Sequence, residues 1–329
     1  MNKSRTWNLL SLVLLIAMVL SACQSVQAPP DEALIPMRLT LGFIPNIQFA
    51  PIYVAIEKGY FRDAGFDVSL EYGSEADAVA LIGAGEQTFA IASGEQILLA
   101  RAQGLPVTFV AAWYDEYPVG VVTFREDDFQ SPEDLAGATI GLPGLYGANY
   151  IGAIALLSSA GLTEADVTLL SIGFNQVEAM ATRQVEAAVI YIANEPVVLR
   201  SMGYDVDVIR VSDYLQLISN GLVTNEATIE SDPEMVTAFI DALLRGIIDT
   251  AADPDEAYEI SKNYVENLDE ADRDLQERIL IESIQLYQVD RPGYSDPTAW
   301  ENMQQVLLEM ELLTEPQDLD RAFTNDLLP

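Results

Sequence analysis

No histidine occurs anywhere in this sequence of 329 residues, and cysteine occurs once, at Cys23. The first absence rules out histidine-based triads, imidazole zinc ligands and imidazole proton relays. The second leaves no pair of thiols for a disulfide and no ligand set for an iron–sulfur cluster. Basic residues are scarce: 16 Lys and Arg stand against 51 Asp and Glu, a formal net charge of −35. A field of that sign repels nucleic acid and anionic headgroups, so nucleic acid is not an expected partner. The excess itself reads as a solvated acidic surface. Carboxylate chemistry and oxygen-ligated metals stay open, but no carboxylate pair has a diagnostic spacing and the EF-hand pattern is missing. No motif calls for a cofactor.

Only one long apolar run is present. Lys3 and Arg5 precede an almost unbroken stretch from Leu9 to Leu20, followed by Ser21, Ala22 and Cys23. A charged start, a short apolar core and small residues before a cut site make a secretory signal. The run falls short of the roughly 20 residues that cross a bilayer as a helix. Leu20-Ser21-Ala22-Cys23 resembles a bacterial lipobox, which implies that residues 1–22 are removed and that Cys23 is acylated. More than one acyl chain gives stable anchoring. The expectation is a protein held in the lipid bilayer of the cell membrane through Cys23, facing outside the cytoplasm. Residues 23–37, with Ala28-Pro29-Pro30-Asp31-Glu32, are polar and aperiodic, as a tether should be.

From Arg38 onward short apolar strands alternate with helical segments, a rhythm that implies parallel βαβ units. One set runs from Leu39 to Ala112 and a second from Ala138 to Val211. After Gly221-Leu222-Val223-Thr224 the chain turns helical: Val236, Phe239, Ile240, Leu243, Leu244, Ile247 and Ile248 share a face. Asp232-Pro233, Asp253-Pro254 and Asp296-Pro297 each read as an N-cap followed by Pro at the first helical position. The expected fold is α/β with two lobes, two parallel-type sheets flanked by helices and a ligand cleft at a two-strand hinge. Residues 38–125 and 220–329 are assigned to lobe 1 and residues 126–219 to lobe 2, with crossings at the strands Val119–Phe124 and Gly221–Asn225.

Pro45-Asn46-Ile47-Gln48-Phe49-Ala50-Pro51, Glu57-Lys58-Gly59-Tyr60-Phe61 and Ala64-Gly65-Phe66-Asp67-Val68 follow the first strand. A Pro-Asn turn, an apolar helix and a Gly-aromatic-aromatic exit resemble the opening of a periplasmic-binding-protein-like family of type II fold. That family includes fungal pyrimidine-precursor synthases and ABC-importer receptors for thiamin precursors, sulfonates and riboflavin. Ala90–Gln96, Gly141–Gly144 and Asn220–Asn225 extend the resemblance. The Gly144-Leu145-Tyr146-Gly147-Ala148 loop and Asn194-Glu195-Pro196-Val197-Val198-Leu199 are closest to the riboflavin receptors. Phe43 stands where pyrimidine-precursor receptors typically carry Trp.

The resemblance implies a non-catalytic, extracytoplasmic receptor that delivers riboflavin to an ABC transporter permease and its ATPase. The alternatives are a receptor for a thiamin pyrimidine precursor or a sulfonate, and an enzyme like the fungal synthases. Those synthases consume an internal histidine, which this chain does not possess. A flavin is large, flat and neutral, and calls for aromatic walls with a few amide or carboxylate partners. Candidate walls are Phe49, Trp113, Tyr114, Tyr146 and Tyr191, and candidate polar partners are Asn46, Gln48, Glu95, Asn194 and Glu195. Asn46 leads because it sits where a strand's carboxyl end meets a helix, the usual ligand position in open α/β sheets. Gly141–Gly147 lacks the Lys-Ser/Thr ending of a phosphate loop and reads as close backbone approach or a tight turn.

Overall fold

The computed structural model describes residues 33–287 and 289–329. The expected signal, Cys23 and all but the end of the tether lie outside the described residues. Ile35–Met37, assigned to that tether, are instead in a strand: β1 (Ile35–Leu41) pairs from its first residue with β2 (Phe66–Tyr72), Ile35 opposite Phe66.

Among the described residues ten strands form two five-stranded sheets. β1 and β2 are joined by β3 (Phe89–Ser93) and β4 (Val107–Ala112), then β5 (Val119–Phe124), β6 (Thr139–Leu142), β7 (Thr168–Ser171), β8 (Ala187–Tyr191), β9 (Val206–Arg210) and β10 (Asn220–Asn225). The first sheet has the order β2-β1-β3-β10-β4 and the second β7-β6-β8-β5-β9. Both share one plan, in which three parallel strands are followed by a reversed strand and a final edge strand.

Two expectations are corrected here. The sheets are mixed, because β10 runs antiparallel to β3 and β4, and β5 antiparallel to β8 and β9. Val119–Phe124 also belongs to the second sheet, so the crossings are the segments 113–118 and 211–219 rather than the strands themselves. Both corrections have one cause. The chain leaves each sheet at a strand's carboxyl end and enters the other sheet at the same edge, so its first strand there must run backwards.

Burial follows position in the sheet. β3, β4, β5 and β10 are buried at every residue, as strands covered on both faces should be. The edge strand β2 exposes Asp67, Ser69 and Glu71. Asp232, Asp253 and Asp296 cap the helices Pro233–Ala252, Pro254–Ser261 and Pro297–Glu309 through their side chains. Phe239 stacks on Phe89 of β3 at 4.1 Å between ring centroids. Gly246 lets this helix press on Ala50–Glu57, since a Cβ there would overlap the Pro51 carbonyl oxygen. The helix Arg273–Tyr287 packs against both the turn Ile47–Phe49 and the helix Glu195–Ser201, so the C-terminal region touches both halves. Among the described residues no helix is long and apolar enough to cross a membrane.

Candidate functional site

A cavity of about 570 Å³ opens where the carboxyl ends of the two sheets face each other. Its wall is built largely from the segments that leave the carboxyl ends of the parallel strands in each sheet. After β1 come Gly42, Phe43 and Ile44, and at the end of β2 come Tyr72, Gly73, Ser74 and Glu75. The second sheet supplies Tyr146, Phe174, Gln176, Tyr191, Asn194 and Glu195. Ligands of open α/β sheets sit at such edges because helices begin there and strand ends leave polar backbone free.

Of the residues singled out from sequence, Gln48, Tyr146, Tyr191, Asn194 and Glu195 lie in this wall. The other five ligand candidates, Asn46, Phe49, Glu95, Trp113 and Tyr114, are not in it. Asn46 accepts a hydrogen bond from the Gln48 backbone N–H at 3.0 Å and so caps the 3-10 turn Ile47–Phe49. That is a positioning role, which fixes the direction of Gln48. Phe49 and Trp113 stand one layer back, with ring centroids 5.4 Å apart, and Trp113 stacks on Tyr114 at 5.0 Å. All three are buried. Phe49 in turn touches Tyr72, which does face the cavity.

Glu95 is fully buried behind the wall, where its Oε1 lies 2.6 Å from the Ser93 hydroxyl. The same hydroxyl contacts Oε2 of Glu75, and Oε2 also accepts the Ser93 backbone N–H at 2.9 Å. Glu75 Oε1 accepts from Asn220 Nδ2 at 3.1 Å, and Asn220 Oδ1 accepts from the Tyr191 hydroxyl at 3.3 Å. A polar chain thus runs from the first sheet to the second across the base of the cavity. Burial raises the pKa of both Glu75 and Glu95, and each carboxyl opposes the ionisation of the other, so the pair holds on to a proton. Gly42 makes room for this arrangement, since a Cβ there would overlap the Glu75 side chain. Glu195 opens the helix Glu195–Ser201 and accepts from the Tyr191 backbone N–H at 3.1 Å; burial pushes its pKa up to about 7.

Gln48 is 7% exposed and its side-chain Nε2 has no hydrogen-bond partner. A buried amide donor without a partner costs about 1–3 kcal/mol, which a polar group of a solute seated against Gln48 would relieve. Phe43 and Phe174 meet edge to face at 5.0 Å, joining a loop of each sheet at the rim. None of the wall residues is Lys or Arg, and among the described residues no group of three or more His, Cys, Asp or Glu is placed to hold a metal ion.

Glu75, Tyr72 and Phe174 escaped the sequence reading. The signal was present, because Glu75 and Phe174 follow the carboxyl ends of β2 and β7, the same position that singled out Asn46 after β1.

Twin α/β sheets of one strand order, sharing a cavity at their carboxyl edges, define the periplasmic-binding-protein fold. The periplasmic aliphatic sulphonate binding protein SsuA from Escherichia coli superposes with a TM-score of 0.70 at 11% identity, covering 90% of this chain and 93% of that one. The chain belongs to the NMT1/THI5-like family, whose profile matches residues 46–257. It is 36% identical to the riboflavin-binding protein RibY of Chloroflexus aurantiacus over 97% of each chain. It is 31% identical to the formylaminopyrimidine-binding protein of Halalkalibacterium halodurans, over 98% of this chain and 99% of that one.

Proposed function

We propose that this chain is the extracytoplasmic solute-binding component of an ABC importer and that its solute is riboflavin. The observation that carries the reading is the make-up of the cavity wall: aromatic rings from both sheets, amide and carboxyl groups, and no cation. An anionic sulfonate would meet Glu75 and Glu195 there with nothing to balance its charge. A neutral three-ring solute with a polyol chain fits aromatic walls and scattered hydrogen-bonding groups. The 36% identity to a riboflavin-binding protein supports the same solute.

We read the cavity as a binding site and not an active site. The sequence has no histidine, and the wall offers no thiol or amine nucleophile. The two halves are read as lobes hinged at segments 113–118 and 211–219, with Cys23 as the acylated anchor. Delivery of the solute then requires a membrane permease and its ATPase as partners.

The test is a fluorescence titration of riboflavin with protein lacking residues 1–23. Stacking on Tyr146, Phe174 or Tyr72 should quench the flavin. Absence of quenching and of calorimetric heat, with clear binding of formylaminopyrimidine, would replace riboflavin by the pyrimidine while keeping the receptor reading. Cys23→Ala in the full chain should abolish acylation and leave the signal uncut, and a membrane-anchored mature form of that variant would remove the anchor from the scheme.

A further inference from the structure

The Ser93 hydroxyl carries one proton yet lies within hydrogen-bonding reach of a carboxyl oxygen on each side, Glu75 Oε2 and Glu95 Oε1. A hydroxyl donates once and accepts otherwise. Only one of the two contacts can use the serine proton, so the other must use a proton carried by a carboxyl group. Which carboxyl holds it is decided by their partners. Apart from the shared hydroxyl, Glu75 receives the Ser93 backbone N–H and the Asn220 amide. Glu95 is fully buried, its Oε2 has no partner, and apart from the shared hydroxyl it is met only by its own backbone N–H and by the distant Gln96 amide at 3.4 Å. Donors favour the charged form and unrelieved burial favours the neutral form. The proton belongs on Glu95, with the chain of donation running from Glu95 to Ser93 to Glu75.

We propose that Glu75 is the specificity-determining residue of this cavity: an ionised carboxylate, fixed by Ser93 and Asn220 and backed by a neutral Glu95, that accepts N–H or hydroxyl donors of an uncharged solute and rejects anionic ones. This rests on the reading of the cavity as the solute site. The idle Gln48 Nε2 in the same wall supplies the complementary donor. An acceptor and a donor in one wall suit a ring edge or polyol that carries both kinds of group. The titratable groups facing the pair are Tyr117 and Tyr191, whose phenols feel both carboxyls. No Lys or Arg is among the cavity's wall residues, so the negative charge of Glu75 is balanced by hydrogen bonds alone. A phosphorylated solute would place a second negative charge against it.

The chemistry separates riboflavin from its 5′-phosphate, which differ only in that charged group. Wild-type protein, Glu75→Gln and Glu95→Gln should each be titrated with riboflavin, riboflavin 5′-phosphate and formylaminopyrimidine, with thermal melts to verify folding. Wild type should prefer riboflavin over its phosphate. Glu75→Gln should weaken riboflavin about tenfold or more, the worth of a hydrogen bond to a charged group, and narrow the preference. An unchanged ratio of the two flavins in folded Glu75→Gln would overturn the assignment. If wild type binds only formylaminopyrimidine, the riboflavin reading fails on its own, and Glu75 stands or falls by whether Glu75→Gln weakens that pyrimidine. Infrared spectroscopy of ligand-free protein gives an arm independent of any solute. At a pH well above the value of about 7 at which Glu195 releases its proton, it should show the carbonyl stretch of one un-ionised carboxylic acid that disappears in Glu95→Gln. Lack of such a band overturns the proton assignment whatever the titrations give.

Discussion

The two sides of the cavity differ in how their residues are held. On the first-sheet side the backbone of Gln48 and the polar side chains of Tyr72 and Glu75 are fixed from behind. Gln48 is set by the Asn46 cap, the Tyr72 hydroxyl lies 3.0 Å from that of Tyr53, and Glu75 is held by Ser93 and Asn220. A ladder of rings, Phe49, Trp113, Tyr114 and Tyr287, backs this side. On the second-sheet side the rim is open: Tyr146 is 70% exposed and Phe174 is 61% exposed. A preorganised wall reads the solute's hydrogen-bonding pattern at little reorganisation cost. Exposed rings instead gain most when a solute covers them, through about 25 cal/mol for each Å² of apolar surface removed from water. The difference assigns selection to one side and the bulk of the apolar gain to the other.

Trp113→Ala is expected to have the largest effect. Trp113 is 3% exposed and stacked on Tyr114, so truncation should cost about 3–5 kcal/mol of stability. Its ring is not part of the cavity wall, so the folded fraction should still bind riboflavin within about threefold of wild type. Urea denaturation measures the first quantity and titration the second. A large loss of affinity with stability intact would put Trp113 on the solute and dissolve the distinction between wall and backing.

Asn220→Ala comes next. It removes the donor to Glu75 and the acceptor for Tyr191 together, leaving two partly buried polar groups unmatched. At about 1–3 kcal/mol per group, a loss on the order of 2–6 kcal/mol is expected in urea denaturation. Affinity should fall as well, because Glu75 loses its anchor. A loss under ~1 kcal/mol would mean that the chain between the sheets does not couple them.

These residues also mark how far the sequence could be read. The strand and helix succession was legible because buried parallel strands are short apolar runs, and because Asp-Pro caps announce helix starts at Asp232, Asp253 and Asp296. The reversal of β5 and β10 was not, since Val119–Phe124 and Asn220–Asn225 are apolar or small on both faces and carry no mark of direction or sheet membership. Half of the candidate site residues fell one layer short of the cavity for a related reason. Aromatic identity says that Phe49, Trp113 and Tyr114 pack near the site, but whether a ring faces a void or another ring depends on the opposite sheet. Beyond its place after β2, Glu75 is one acid among many in the sequence; its closeness to Ser93 and Asn220, 18 and 145 residues away, is what sets it apart.

On the second-sheet side, Glu195 makes stability depend on pH. Burial raises its pKa from 4.5 to about 7 in the folded chain. A raised carboxyl pKa means that the folded state holds a proton the unfolded state has released between those values. Its contribution is therefore fully present below about 4.5 and is lost as pH rises through about 7. The difference in stability between wild type and Glu195→Gln should change by on the order of 1–3 kcal/mol between those limits, with wild type gaining relative to the variant on acidification. Taking the difference cancels the opposite trend of carboxylates such as Asp249 and Glu226, whose partners lower their pKa. A flat difference across that range would show that Glu195 stays hydrated, and that the second-sheet wall is open at depth as well as at its rim.

The smallest expected effect is at the rim itself. Tyr146 is exposed in the free protein and rests against Gly144, where a Cβ would overlap its ring. Tyr146→Ala therefore removes little that the folded chain relies on, and stability should stay within about 0.5 kcal/mol of wild type. If the ring closes over the solute, its loss costs about 0.5–1.5 kcal/mol beyond area burial, or roughly threefold to tenfold in affinity. Because an open ring must move to make that contact, the loss should appear mainly as faster release, measurable by stopped-flow recovery of flavin fluorescence. Phe174→Ala should behave alike, with a smaller effect on release because Phe43 already shares part of its face. Equal stability loss in Tyr146→Ala and Trp113→Ala would show that the rim is as tightly packed as the backing, and the division of labour between the two sides would go with it.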